Sequence, residues 1–212
     1  MTRGAKPVAQ KRSAETRDRI LQALERLLRE QDFDQLSVSE IASEAGVSVG
    51  TVYRRFENKE AFLPQLVERL RERAAAKADA EPFLPGADLH ETLSALCLEA
   101  WREIAGARPL YRTIYLYSRQ KPETLDDLWQ EVERNAPAQV TALLDHHADE
   151  IVVEDRALAD RMVAYFVGTI FVDRALFERT VPGWIREING EALARQAAAM
   201  AHAYLTMQPV SR

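Results

Sequence analysis

"AGVSVGTVYRRFENKE", residues 45–60, sets a glycine, a run of β-branched residues, a tyrosine and two arginines side by side. Just upstream, "SVSE" at 37–40 is a capping box: the Ser37 hydroxyl can take the first free amides of a helix while Glu40, three residues on, bonds back. That helix carries Val38, Ile41, Ala42 and Ala45 on its inner face. Gly46 ends it, because the residue just past a helix often needs positive φ and glycine has no Cβ to clash there. Ser48 then caps a short helix from about Ser48 to Phe56, and Asn58 in "ENKEAF" caps a longer one reaching to about Ala80. Upstream, a helix from about Ser13 to Glu30 repeats apolar residues at Ile20, Leu21, Leu24, Leu27 and Leu28.

Two short helices joined by a tight turn behind a longer helix form a helix-turn-helix. Val47, Val52 and Phe56 carry its apolar periodicity and should pack onto Ile41, Ala45, Leu24, Leu27 and Leu28. Val49, Gly50, Thr51, Tyr53, Arg54 and Arg55 are left pointing outward. Hydroxyl, phenol and guanidinium donors on one face suit phosphate oxygens, which position a protein, and base edges, which specify sequence.

The order of these residues carries a family likeness. "LSVSEIASEAGVSVGTVYRRFENKEAFL" resembles the DNA-binding signature of the TetR family of bacterial transcriptional regulators. The likeness covers about residues 13 to 63; beyond that, only length and helical character agree. It implies that Ser37 caps the second helix near the DNA backbone, that Thr51 and Tyr53 contact phosphates, and that Lys59 grips another. Ser48, Val49, Gly50, Arg54 and Arg55 complete the expected DNA-facing set, with Val49 able to meet a thymine methyl. One departure is Asp32 in "QDFDQ", where the family usually has glycine; with Asp34 it adds negative charge near the reading head.

Bulk properties agree with a local rather than general basic surface. The 212 residues are 47% hydrophobic and carry a net charge of −5. Through residue 62 there are 11 Lys and Arg against 10 acids, a net of +1, which leaves −6 for the rest. Residues 1–12, with Arg3, Lys6, Lys11 and Arg12, read as a disordered basic arm without the apolar segment of a secretory signal. Cys97 is the one cysteine, so no intrachain disulfide can form, and a reducing cytoplasm fits. The apolar run "MVAYFVGTIFV" from Met162 falls short of the roughly 20 residues that span a bilayer.

Apolar spacing of three and four recurs along the chain, so the expected fold is all-α, with about nine helices or more. After the arm we expect a three-helix DNA-binding domain at 13–60 and a larger helical ligand-binding and dimerisation domain at 61–212. "EPFLPG" breaks the chain before a helix capped by Asp88 and Glu91 and running to about Ala105. Further helices are expected over Pro109 to Arg119, Pro122 to Asp149 with a kink at Pro137, Glu154 to Thr180, and Glu191 to Met207. The helix from Glu154 is apolar nearly all round, which implies two buried faces. One belongs to the protomer core. The other, through Phe166 and Ile170, joins Leu193, Ala197, Met200, Ala201 and Tyr204 in the four-helix dimer bundle that the likeness implies.

In similar proteins the middle helices enclose an inducer. Trp101, Tyr111, Tyr115 and Trp129 are the candidate walls for a small hydrophobic or amphipathic ligand, with His90 or Arg112 as polar anchors. "DHHADE" at 145–150 invites a metal site, but adjacent histidines on a helix diverge by about 100°, so a solvated helix end is the better reading. No phosphate loop, nucleophile elbow or His-Glu-x-x-His is present, and neither an enzyme nor a cofactor is expected. The expectation is a repressor that binds a palindromic double-stranded operator as a homodimer and is released by a small molecule. The alternatives are a dimeric regulator with no inducer, constitutive or answering to a protein partner, and a ligand carrier with a vestigial DNA motif.

Overall fold

A computed structural model describes residues 5–121, 138–177 and 181–207, and these are helical, with no strand among them. No helix among the described residues is long and apolar enough to cross a membrane. The chain divides into two compact units. One gathers the described residues of Met1–Asp79 and Pro109–Leu125; the other gathers those of Ala80–Arg108 and Asp126–Arg212.

The first unit opens with α1 (Ala5–Leu27). The expected disordered arm is therefore helical from Ala5 onward, while residues 1–4 lie outside the described residues. Pro7 is no obstacle, because the first turn of a helix donates no intrahelical amide bonds. Ile20, Leu21 and Leu24 of α1, and Leu28 just past its end, are buried at helical spacing. So are Ile41 and Ala42 of α2 (Val38–Glu44) and Val52 of α3 (Val49–Tyr53). Phe56 and Phe62 stack with centroids 4.2 Å apart. Asn58 Oδ1 accepts the Ala61 amide at 2.9 Å, and a 3-10 turn at Glu60–Phe62 leads into α4 (Leu63–Ala80). Leu63, Leu66 and Val67 continue the core.

Charge joins α4 to α1. Arg69 pairs with both Asp18 and Glu25, and Arg73 pairs with Glu25. Residue 60, the expected domain boundary, thus falls inside the first unit. The unit is completed by α6 (Arg108–Gln120), which buries Leu110, Ile114 and Tyr117.

In the second unit α5 (Leu89–Gly106) packs chiefly along α10 (Gly190–Thr206). Leu89, Leu93 and Cys97 line one stripe of α5, and Ala194, Ala197, Ala198, Ala201 and Leu205 line the buried face of α10. Burial pushes the Cys97 thiol up to about 12. Small side chains let the two backbones close up, and at the start of α10 the approach is closer still. A Cβ on Gly190 would lie 2.0 Å from Cζ2 of Trp101, so only glycine fits under that ring.

Residues 138–144 form α7, followed by a 3-10 segment at Asp145–Glu150, and α8 spans Arg156–Leu176. Part of the helix expected from Pro122, including its kink at Pro137, lies outside the described residues. The short α9 (Gly183–Arg186) was not anticipated. "DHHADE" ends the helix with Asp145, His146, Ala148 and Asp149 exposed, as expected, but with one residue turned inward. His147 leaves helical geometry at φ −125° and is buried. The Glu150 carboxylate, 3.1 Å from Nδ1, favours the proton there, so Nε2 accepts the Thr92 hydroxyl at 2.8 Å. Thr92 Oγ1 in turn accepts the Gly86 amide, and Glu150 Oε1 the Leu89 amide. The segment thereby ties off the N-terminus of α5. Among the described residues no group of three or more His, Cys, Asp or Glu could hold a metal ion.

Candidate nucleic-acid interface

Local rules build the two short helices. Ser37 Oγ accepts the Glu40 amide at 3.1 Å, while Glu40 Oε2 accepts the Ser37 amide at 2.8 Å and its hydroxyl at 2.6 Å. Those bonds hold the Glu40 carboxyl below the usual carboxylate range. At the far end Gly46 has φ +63°, its amide bonding Ser43 carbonyl at 3.0 Å and the Val47 amide bonding Ala42 carbonyl at 2.9 Å. This pair of crossed bonds is the Schellman stop, and it turns the chain directly into the next cap. There Ser48 Oγ accepts the Thr51 amide at 3.2 Å.

The outer face of α3 is a continuous donor surface. Thr51 Oγ1 lies 2.9 Å from the Ser48 hydroxyl and accepts Arg54 Nη2 at 2.8 Å. Val49 is 38% exposed and Tyr53 53%. A Cβ on Gly50 would meet nothing within 4 Å, so the backbone there faces open space. Arg54 is exposed; Arg55 departs from the expected outward set. After Tyr53 the amides of Arg55 and Phe56 both turn back to the Val52 carbonyl, at 2.8 and 3.0 Å, and the tightened chain draws Arg55 half inward. Its Nη1 donates to the Thr51 carbonyl at 3.2 Å, and its buried Nε has no partner.

Lys59 stands beside this surface, half-buried. Its Nζ donates to the Asp34 carbonyl at 3.0 Å and lies 4.8 Å from the centroid of the Phe33 ring. Partial burial lowers its affinity for the proton, against the pull of Asp34, Glu60 and Glu40. Phe33 is itself held edge-on by Tyr117 of α6, with centroids 5.6 Å apart at 85°. The Tyr117 hydroxyl donates to Glu60 Oε1 at 3.0 Å, and Lys121 Nζ lies 3.4 Å from the same oxygen. The backbone amide of Glu60 and the Tyr117 hydroxyl keep the Glu60 carboxyl below its usual range. Asp32, a worry near the reading head, is paired with Arg112. Phe33, Glu60 and Tyr117 escaped the sequence reading, because no spacing along the chain announces a contact 57 residues apart.

The candidate ligand residues are divided between the two units. Trp101 belongs to the second unit, where it packs edge-on to Phe171 at 6.0 Å and covers Gly190. His90 is exposed and meets the His202 ring at 5.4 Å. Tyr111, Arg112 and Tyr115 belong to the first unit; Arg112 is committed to Asp32, and the Tyr115 hydroxyl accepts Arg119 Nη2 at 2.9 Å. Trp129 lies outside the described residues.

Of the expected dimer residues, Ala197 and Ala201 are buried in their own protomer's core and cannot form an outer seam. Phe166, Ile170, Leu193 and Tyr204 pack partly against that core, whereas Met200 is exposed. Apolar residues left open on α8 are Leu158, Met162 and Tyr165, the last 70% exposed.

Residues 20–66 match the family described as bacterial regulatory proteins, tetR family. An uncharacterized HTH-type transcriptional regulator of Haemophilus influenzae is 38% identical over 53 residues, 25% of this chain. The match spans 28% of that relative's length. The fold resembles a putative TetR-family transcriptional regulator from Mesorhizobium loti, with TM-score 0.66 and 21% identity over 94% of this chain and 99% of that one. It also resembles the transcriptional regulator FadR of Bacillus subtilis, solved in complex with stearoyl-CoA, with TM-score 0.63 and 19% identity over 87% and 97% of the two chains.

Proposed function

We propose that the chain is a member of the TetR family of bacterial regulatory proteins, whose signature its residues 20–66 match, and that it is a transcriptional repressor, not an enzyme, which binds a palindromic operator as a homodimer. The observation that carries this reading is the outer face of α3. Ser48, Thr51, Tyr53 and Arg54 offer phosphate and base-edge partners beside a bare backbone at Gly50, on a helix held by the Gly46 stop. One recognition helix reads only a few base pairs, so two copies spaced about 34–36 Å apart are needed for a specific site. A small hydrophobic or amphipathic effector would act by favouring one spacing of the two helices over another. The likeness of fold to a regulator solved with stearoyl-CoA supports an acyl chain as the first ligand to try.

A second reading, a dimeric regulator with no inducer, is favoured by one set of facts. Trp101 and Arg112 are committed to internal partners, and His90 lies on the surface. Selection of genomic fragments on the purified protein at about 150 mM salt tests both readings. Enrichment of a palindrome with half-sites near one helical turn apart supports a sequence-reading dimer; no enrichment by a folded dimer defeats it. Release of the selected fragment by stearoyl-CoA supports the inducible form, and retention supports the second reading.

A further inference from the structure

The residue expected to grip a phosphate, Lys59, does not stand free. Its ammonium rests over the Phe33 ring and spends one of three donors on the Asp34 carbonyl, which leaves two directed elsewhere. A cation lying 4.8 Å from an aromatic centroid is attracted to the ring face, so the tilt of Phe33 decides where the ammonium sits. That tilt is set from α6. Tyr117 is buried and presents its ring to Phe33 at 85°, the edge-to-face arrangement in which a rotation of either ring loses the contact. Through its hydroxyl the same tyrosine holds Glu60, the residue next to Lys59 in the chain.

We propose that Tyr117 is a positioning residue for DNA binding: acting through the Phe33 ring, it aims the Lys59 ammonium at the phosphate backbone. The inference rests on the reading of Lys59 as a phosphate contact. It assigns to α6, 58 positions downstream of Lys59, a share in the electrostatic part of affinity.

The test is the salt dependence of binding of the full chain to a labelled random-sequence duplex of about 30 bp, three helical turns. Each phosphate neutralised contributes about −0.9 to the slope of log K against log salt, which corresponds to about fivefold in affinity at 150 mM. Lys59→Ala is expected to flatten the slope by about 0.9 per protomer. Tyr117→Leu is expected to flatten it equally, and the double variant no further. Tyr117→Phe keeps the ring and should restore the original slope, a rescue that a role in stability alone would not produce. Phe33→Leu, which removes the ring face while filling the core, should behave as Tyr117→Leu and covers the case in which that variant fails to fold. A wild-type slope in folded Tyr117→Leu or in Phe33→Leu overturns the proposal, as does a double variant flatter than either single one. If Lys59→Ala itself keeps the wild-type slope, the phosphate reading fails and the proposal falls with it.

Discussion

At Gly50 the absence of a side chain serves nothing inside the protein, since a Cβ there would point into open space and the residue sits in ordinary helical geometry. Alanine should therefore leave the fold intact or stabilise α3 by up to about 1 kcal/mol, the usual difference in helix propensity. If the bare backbone is kept so that DNA can come close, Gly50→Ala should raise the melting temperature slightly yet cost about 1–3 kcal/mol in operator affinity. Thermal melts beside fluorescence anisotropy separate the two effects, and an alanine variant with undiminished affinity would remove Gly50 from the interface. Tyr53 gives the opposite pattern of specificity. Its exposed phenol is expected to meet a phosphate, so Tyr53→Ala should weaken binding to all duplexes by a similar factor, about 1 kcal/mol, without reordering them. A reordering of sequence preference in a competition assay would instead make Tyr53 a base reader.

The short elements were legible because their causes are local. Ser37 and Glu40, Gly46, Ser48 and Asn58 each act within three or four residues, and each bond expected of them is present. The N-terminus of α5 shows where local reasoning begins to blur. Asp88 Oδ1 caps the Glu91 amide as expected, but Glu91 bonds back to Ala87, one residue early. Contacts between elements were out of reach, and they are what hold the candidate site. Tyr117 and Glu60, Phe33 and Lys59, and Thr92 and His147 come together only once the helices have packed. The link from α6 to the turn before α4 can be read in pH. Glu60 has a lowered pKa in the folded chain, so its contribution to stability is full above the unfolded value, about 4.3, and disappears as pH falls through the folded one. Tyr117→Phe should cost about 1 kcal/mol at neutral pH, after discounting a charged hydrogen bond for solvent, and the difference should shrink as pH falls through the lowered Glu60 value and the carboxylate protonates. Urea titrations from about pH 7 down through the acid range check it; a gap that does not narrow anywhere in that range would mean that the hydroxyl acts through something other than the carboxylate.

For the whole molecule the decisive surface is on α8. Ala159, Val163, Val167 and Phe171 form its inner stripe in the second unit, yet Leu158, Met162 and Tyr165 repeat on another face and are exposed. On α10 the core takes Ala194, Ala197, Ala198, Ala201 and Leu205, while Met200, and Met207 just past its end, stay outside. Exposed apolar stripes on two neighbouring helices suit a second copy of the chain, so the seam of the proposed dimer would run through Met162, Tyr165 and Met200 rather than through the buried alanines. Met162→Glu puts a charge in the middle of the α8 stripe without touching the inner face. A carboxylate desolvated against apolar side chains costs several kcal/mol, and in a twofold dimer the cost is met twice. The variant should therefore be a folded monomer at micromolar concentration, with an unchanged helical spectrum. Because one recognition helix binds only a half-site, its operator affinity should drop by orders of magnitude while weak, salt-sensitive binding to any duplex remains. Light scattering and operator binding on the same sample decide the matter: a variant that stays dimeric with full affinity places the seam elsewhere, and a monomer with full affinity would mean that one α3 is enough to read the site.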